Sequence, residues 1–328
     1  MQRKLIMGID GGGTHTRVAI TNTDGHLLSF VEWNGSANVL KDPNAKDNII
    51  SAIQEALKKA NGTLSDVTGF CAGIAGSGYD LESDTAWVKM LRMNGLRCQA
   101  EHTGDSVIAN IGAFLHKPGI IAISGTGSIV LGITETGARI RNYDYHHNGA
   151  TAARFISYNT VFKILANEFD DTDKDLVSAT LEYFGAEDIA TLAKMGARGF
   201  VADKTLRDKQ FSGFAPTITG YALQGSKLAQ YICNDTAANI VTGIKLVGSC
   251  FSSSAVSVAL VGGVACSAFI NDAVKQLLCA GDKNNRWRIV KPAVPPVLGA
   301  VVMAMQSSGV ILNDKVLTNI CDNSAQCC

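Results

Sequence analysis

Asp10-Gly11-Gly12-Gly13-Thr14-His15-Thr16 sets a carboxylate at the end of an apolar run and follows it at once with three glycines. Without side chains, successive backbone N–H groups can approach an anion closely. The same residues also make an ordinary glycine-rich turn, and taken alone the two readings stand level. A second stretch, Ser124-Gly125-Thr126-Gly127-Ser128, repeats Gly13-Thr14 as Gly125-Thr126 112 residues on. Two such turns can hold one polyphosphate between them, which favours the anion reading. Phosphoryl transfer also needs a metal holder and a base for the acceptor hydroxyl. Asp10 and Asp105 are the two carboxylates that could fill these roles, although an aspartate placed like Asp105 could simply cap a helix. A third glycine site, Gly262-Gly263 after the apolar run Val258-Ala259-Leu260-Val261, would let an adenine or ribose lie flat on the backbone. Taken by itself, a tight helix-entry turn is the better account of that pair.

The elements that position these residues read as two copies of one plan. Leu5-Ile6-Met7-Gly8-Ile9 and Arg17-Val18-Ala19-Ile20-Thr21 are strands flanking the first glycine turn, and Asp24-Gly25 turns the chain to a third strand. Ile120-Ile121-Ala122-Ile123 precedes the second glycine turn, and Thr136-Gly137 stands where the first copy has Asp24-Gly25. Duplicated halves imply two similar domains. Between them, 47–60 and 81–94 have helical periodicity, 67–74 and 99–103 read as strands, and 106–114 as a helix after Asp105. The order βββαβαβ is an α/β architecture. Further on, 161–169, 176–184, 186–195, two stretches within 220–247, and 271–278 read as helices. Pro295-Pro296 starts the last regular element, the helix 297–305. The boundary between halves falls at Lys117-Pro118-Gly119, giving domains 1–117 and 118–310, with 311–328 as a tail packing back on the first domain.

Composition excludes several classes. With 29 basic against 29 acidic side chains and 18% charged residues, no nucleic-acid or membrane surface is expected as a partner. The apolar run after Met1-Gln2-Arg3-Lys4 ends too early for a signal segment, and 255–270 is too short and too broken by glycine to span a membrane. Nine cysteines, mostly scattered singly, read as reduced thiols of a cytoplasmic protein. Cys327-Cys328 resembles a lipidation signal, but Ala325 occupies the cysteine position of the four-residue box.

These motifs resemble, in order, those of the acetate kinase, sugar kinase, heat-shock and actin superfamily. Asp10-Gly11-Gly12-Gly13-Thr14 is similar to its first phosphate motif, Asp105 to the catalytic aspartate, 124–128 to the second phosphate motif, and Leu260-Val261-Gly262-Gly263-Val264 to the adenosine motif. Up to about Met305 the chain resembles the branch of N-acetylglucosamine and glucosamine kinases, the BadF/BadG/BcrA/BcrD ATPase family. The resemblance implies duplicated actin-like ATPase (ribonuclease H-like) domains with a nucleotide cleft between them. It implies ATP bound by Gly11, Gly12, Gly13, Thr14, Thr16, Gly125, Thr126, Gly127, Gly262 and Gly263, Mg²⁺ organised by Asp10 through water, and Asp105 as catalytic base.

Asn34-Gly35-Ser36-Ala37-Asn38 resembles the family's sugar-contact loop and Ala75-Gly76-Ser77-Gly78 its small-residue segment, which implies Ser36, Asn38, Gly76 and Ser77 as acceptor contacts. One segment departs. Where the amino-sugar kinases carry Gly-Trp-Gly-His, two variable residues and Gly-Asp-Glu-Gly-Ser, this chain reads Tyr143-Asp144-Tyr145-His146, His147-Asn148, then Gly149-Ala150-Thr151-Ala152-Ala153. His146 keeps its place as an acceptor contact, but the acidic pair is replaced. Arg154, just beyond, could favour an acceptor bearing a carboxylate or phosphate, or could face solvent. The resemblance thus implies an ATP-dependent kinase of a sugar or amino sugar with an altered pocket, acting on a small molecule and leaving a homodimer open. An ATPase activating a radical enzyme of the 2-hydroxyacyl-CoA dehydratase or benzoyl-CoA reductase type, and a non-catalytic sugar or nucleotide sensor, are the alternatives.

Overall fold

The opening apolar runs pair as strands β1 (Leu5–Gly11), β2 (Thr16–Asn22) and β3 (Leu27–Trp33), followed by helix α1 (Ala45–Lys59) and strand β4 (Val67–Ile74). Helix α2 (Leu81–Met93), strand β5 (Ala100–Gly104) and helix α3 (Asp105–Phe114) complete the first half. The computed structural model describes residues 3–39, 41–76, 81–280 and 285–327, with only the backbone of 81–86. The strands form one sheet in the order β3-β2-β1-β4-β5, with β1 antiparallel to β2 and parallel to β4. Every residue of β1 is buried, as expected of a central strand covered on both faces. Its Leu5, Met7 and Ile9 share a core with Ile49 and Ile53 of α1.

The second half repeats the plan. β6 (Gly119–Ser124), β7 (Ser128–Ile133) and β8 (Arg139–Arg141) are followed by helices α4 (Ala153–Leu165), α5 (Lys174–Phe184), α6 (Ile189–Ala197), α7 (Lys204–Leu223) and α8 (Lys227–Gly248). Then come β9 (Val256–Val261), α9 (Ala268–Cys279) and β10 (Trp287–Ile289). The sheet order β10-β9-β6-β7-β8 matches the first sheet strand for strand. Gly25 and Gly137, at the expected turns, have φ of +88° and +80°. An aromatic cluster holds the helices together, with the Tyr158 and Phe211 rings stacked at 3.9 Å between centroids and Phe184 and Phe211 at 4.8 Å.

Two helices start earlier than the periodicity predicts. α7 begins at Lys204, not near Gly220, and contains Pro216. A proline inside a helix normally marks a boundary; here burial of Phe211, Phe214 and Ile218 carries the helix through it. α4 begins at Ala153, not Val161, because its buried face mixes Ser157 and Thr160 with Ile156 and Ile164 and blurs the stripe.

The chain then ends in α10 (Pro296–Ser307) and α11 (Asp314–Asp322). Contacts divide it into Met1–Pro118 with Lys291–Cys328, and Gly119–Val290. The final segment therefore belongs to the first unit from Lys291 onward, whereas the sequence suggests 118–310 for the second domain. The cause is α10, which packs on β1, β4 and α3. A Cβ on Gly299 would lie 2.0 Å from Ile108 O and 2.6 Å from Gly112 N, so the close approach of α10 to α3 requires glycine there. α10 is not the last regular element. α11 follows it with only Val316 and Ile320 buried, a stripe too short to read. It is tied to the β2–β3 turn by Asn319 Nδ2 donating to Asp24 O and Asn323 Nδ2 to Gly25 O, both at 2.8 Å.

Candidate active site

In the first unit β1 delivers Asp10 to the end of the sheet, where it is 8% exposed. Antiparallel register places Arg17 directly opposite on β2. Arg17 Nη1 is 3.6 Å from Asp10 Oδ2, while its Nε is 2.6 Å from Glu32 Oε2. The guanidinium is thus committed more closely to Glu32 than to Asp10. Burial consequently wins over Arg17, and with the Asp105 charge adding to it the Asp10 carboxyl is pushed up from 3.8 to about 6. Sequence reading missed Arg17, although the register implied by the β1–β2 hairpin was the signal that could have found it.

Asp105 is the first residue of α3, with Gly104 as its N-cap. Its Oδ1 accepts from Ser106 N at 2.8 Å. Burial pushes its carboxyl above the usual range, opposed by that Ser106 N–H. A carboxylate shifted this way is a stronger base near neutral pH. Gly73 of β4 pairs in register with Asp10 on one side and Thr103 on the other. A Cβ on Gly73 would lie 2.4 Å from Ile108 Cγ1, so α3 sits tight against the strand. Asp10 and Asp105 therefore come to the same carboxyl end of the sheet, where open α/β sheets bind ligands.

The first glycine turn closes with Gly12 N donating to His15 O at 2.9 Å. Gly13 and Thr14 are exposed, and a Cβ at Gly13 would meet nothing within 4 Å. Two other segments, 34–38 and the end of β4, are laced to it. Ala37 N donates to Gly12 O at 3.0 Å and Ala75 N to Gly11 O at 2.7 Å, and Asn38 N donates to Ser36 Oγ at 3.0 Å. Thr16 is fully buried and its hydroxyl donates to Gly35 O at 2.9 Å, so that side chain ties loops together. Gly76 has φ +78°, and a Cβ there would come within 3.2 Å of Asn38 Nδ2. The fold thus brings Gly11, Gly12, Gly13, Ser36, Asn38 and Gly76 together beside Asp10, while Ser77 lies outside the described residues.

In the second unit the matching turn closes with Gly125 N donating to Gly127 O at 2.9 Å. Thr126 and Gly127 are exposed, with nothing within 4 Å of a Cβ on Gly127. β9 runs parallel to β6 and brings Gly262 and Gly263 against this turn: Val264 N and Ala265 N both donate to Ser124 O, at 3.0 and 3.1 Å. Gly262 has φ +94°, and a Cβ on it would fall 2.4 Å from Ser124 O. No other residue fits that junction.

The divergent segment braces the same turn. Ser124 Oγ donates to Thr151 O and Ala153 N donates to Gly125 O at 2.8 Å. Thr151 is buried and Ala150 exposed. His146 ends a short 3₁₀ turn with φ +55° and an exposed side chain. Its turn lies along β7, since Tyr143 Oη donates to Ser128 O and Val130 N donates to Asn142 Oδ1 at 2.9 Å.

Comparison with known proteins agrees with these motifs. The model of the BadF/BadG/BcrA/BcrD ATPase family matches residues 7–304. The N-acetylmuramic acid/N-acetylglucosamine kinase of Clostridium acetobutylicum is 25% identical over 253 residues, covering 74% of this chain and 79% of the relative. The glucosamine kinase GspK of Vibrio cholerae is 26% identical over 240 residues, covering 71% of this chain and 77% of the relative. A solved structure from Chromobacterium violaceum, provisionally assigned as an N-acetylglucosamine kinase, is similar with a TM-score of 0.69 at 19% identity, covering 93% of this chain and 100% of the other. The two repeated units are those of the actin-like ATPase fold.

Proposed function

Since the chain belongs to the BadF/BadG/BcrA/BcrD ATPase family, we propose that it transfers the terminal phosphoryl group of ATP to a hydroxyl of a sugar or amino sugar. The observation that carries this reading is the arrival of Asp10 and Asp105 at one sheet end, beside a glycine turn whose amides are free of side chains. Asp105 accepts the proton of the attacking hydroxyl, and its raised pKa suits that task. Backbone N–H groups of Gly13 and Thr14, and of Thr126 and Gly127, cradle the phosphates, while Gly11, Gly12 and Gly125 shape the turns that present them. Thr16 acts through the loop it ties to Gly35. Gly262 and Gly263 offer a flat backbone for the adenosine. Ser36, Asn38, Gly76 and His146 are the proposed acceptor contacts.

Among the described residues no group of three or more His, Cys, Asp or Glu side chains is placed to hold a metal ion. One buried carboxylate with a second nearby suits Mg²⁺, which keeps most of its waters and binds through one or two carboxylates plus substrate phosphates. Asp10 would hold it through water. Bound there, Mg²⁺ would offset the negative charge that develops on the phosphate oxygens.

The amino-sugar kinases among the relatives support the acceptor class. The segment 149–153 modifies it, because Ala150 and Thr151 stand where the family resemblance calls for an acidic pair. The backbone carbonyl of Thr151 braces the second turn, and the side chain is buried. A site that has lost its hydroxyl-binding carboxylates loses about 10⁴–10⁵ in discrimination, so plain N-acetylglucosamine is a poor substrate on this reading. The test is ADP release over a panel of sugars, amino sugars, polyols and muropeptide sugars. One acceptor raising ADP release well above the basal rate supports the proposal, and a rate that no acceptor raises refutes it.

A further inference from the structure

Arg154, in the first turn of α4, reaches back to the second glycine turn, where its Nη1 donates to Thr126 O at 3.1 Å. Its guanidinium carbon lies 4.3 Å from the centroid of the Phe155 ring, which gives the side chain a second support. The nearest carboxylate, Asp208 Oδ2, is 3.9 Å from Arg154 Nε, beyond hydrogen-bond distance. That carboxylate belongs to Lys204, whose Nζ is 2.5 Å from the same oxygen. Tyr158 Oη donates to Asp208 Oδ1 at 3.5 Å, and Arg207 Nε donates to Tyr158 Oη at 3.2 Å. Asp208 is thus held by Lys204 and the Tyr158 hydroxyl, and Arg154 approaches it only at 3.9 Å. A guanidinium has five N–H donors, and among the described residues only one of Arg154's is hydrogen-bonded. A full positive charge with unused donors is therefore fixed one peptide unit from Gly127, where the turn is open.

We propose that Arg154 is a nucleotide-binding residue that pairs with the terminal phosphates of ATP, adding a whole charge where the glycine turn offers only backbone dipoles. The inference rests on the kinase reading, because it takes residues 124–128 as the turn that holds those phosphates. Arginine suits this position because its planar fork binds two phosphate oxygens at once. The choice of the nucleotide over an anionic acceptor follows from the anchor: the side chain is fastened to Thr126 itself.

The test is calorimetric titration of the full chain with MgATP, MgADP and adenosine, using R154Q, R154K and D208N beside the unaltered protein. R154Q is expected to bind MgATP about 10–100-fold more weakly, the range for a charge-assisted hydrogen bond, with adenosine affinity unchanged. R154K keeps the charge but not the fork and should fall between. D208N should bind MgATP as tightly as the unaltered protein or more tightly, because it releases Arg154 from a competing carboxylate; this arm holds even if R154Q folds poorly. Equal MgATP affinity in R154Q and the unaltered protein overturns the proposal. So does equal weakening of ATP and adenosine, which would mean a damaged turn, and so does a raised acceptor KM at unchanged ATP affinity, which would assign Arg154 to the acceptor. Failure of the unaltered protein to bind ATP would instead overturn the kinase reading, before any variant is considered.

Discussion

Replacing Asp10 with asparagine should stabilise the protein at neutral pH while disabling it. Burial raises the Asp10 carboxyl from 3.8 to about 6 in the folded state, a shift of about two pH units. Each unit corresponds to about 1.4 kcal/mol, so keeping Asp10 ionised in the folded first unit costs about 3 kcal/mol at pH 7–8. A folded pKa raised above the unfolded value contributes stability that is fully present below pH 4 and lost as pH rises through 6. The neutral amide of Asp10→Asn never incurs that loss. Its own cost is small, because Arg17 lies 3.6 Å from Asp10 but keeps its 2.6 Å contact with Glu32. The variant should therefore exceed the unaltered protein by about 2–3 kcal/mol at pH 8. The difference should shrink below pH 6 and disappear near pH 4. Urea unfolding followed by tryptophan fluorescence measures it, since Trp33 and Trp87 lie in the first unit and Trp287 in the second. Lower stability of the variant at pH 8, or a gain that persists undiminished at pH 4, would refute the reasoning.

Asp105→Asn should leave MgATP affinity nearly intact and lower turnover by about 10²–10⁴-fold, the usual contribution of a positioned general base; kcat and nucleotide Kd measured side by side separate the two effects. Gly125→Val should weaken nucleotide binding, because its Cβ would already stand 3.6 Å from Gly263 N and its methyls would fill the junction of the two glycine loops; an unchanged ATP Kd would make this turn purely structural. Gly262→Ala should destabilise the second unit by about 1–3 kcal/mol or more, since φ +94° and a 2.4 Å approach to Ser124 O both resist a side chain; a thermal midpoint equal to that of the unaltered protein counts against the geometry. N-acetylglucosamine should be phosphorylated with kcat/KM below the common enzyme range of about 10⁴–10⁸ M⁻¹s⁻¹, and a value within that range would return residues 149–153 to the family's pattern of recognition.

Much of this arrangement could be read from local chemistry. The glycine turns and the strand-ending Asp10 are short-range patterns, the 112-residue repeat is a match of one such pattern to another, and both sheets form in one order. What escaped reading depends on contacts between distant segments. α10 joins the first unit because Gly299 can approach α3, which nothing in 291–307 announces by itself. α7 passes through Pro216 because an aromatic core forms around it. The hydroxyl of Thr16 reads as a phosphate ligand beside a glycine turn, yet it donates to Gly35 nineteen residues away. Thr151 reads as a lost acidic residue, and only the folded chain shows its carbonyl accepting from Ser124.

The central claim is that Asp10 and Asp105 meet to transfer phosphate from ATP to a hydroxyl. The most direct measurement is transfer of the γ-phosphate of labelled ATP to the best acceptor of the panel, with the unaltered protein and Asp105→Asn compared at equal, saturating MgATP. The account predicts a labelled phosphomonoester from the unaltered protein and about 10²–10⁴-fold less from the variant at unchanged ATP occupancy. Label released only as inorganic phosphate, or equal phosphomonoester from both proteins, would contradict it.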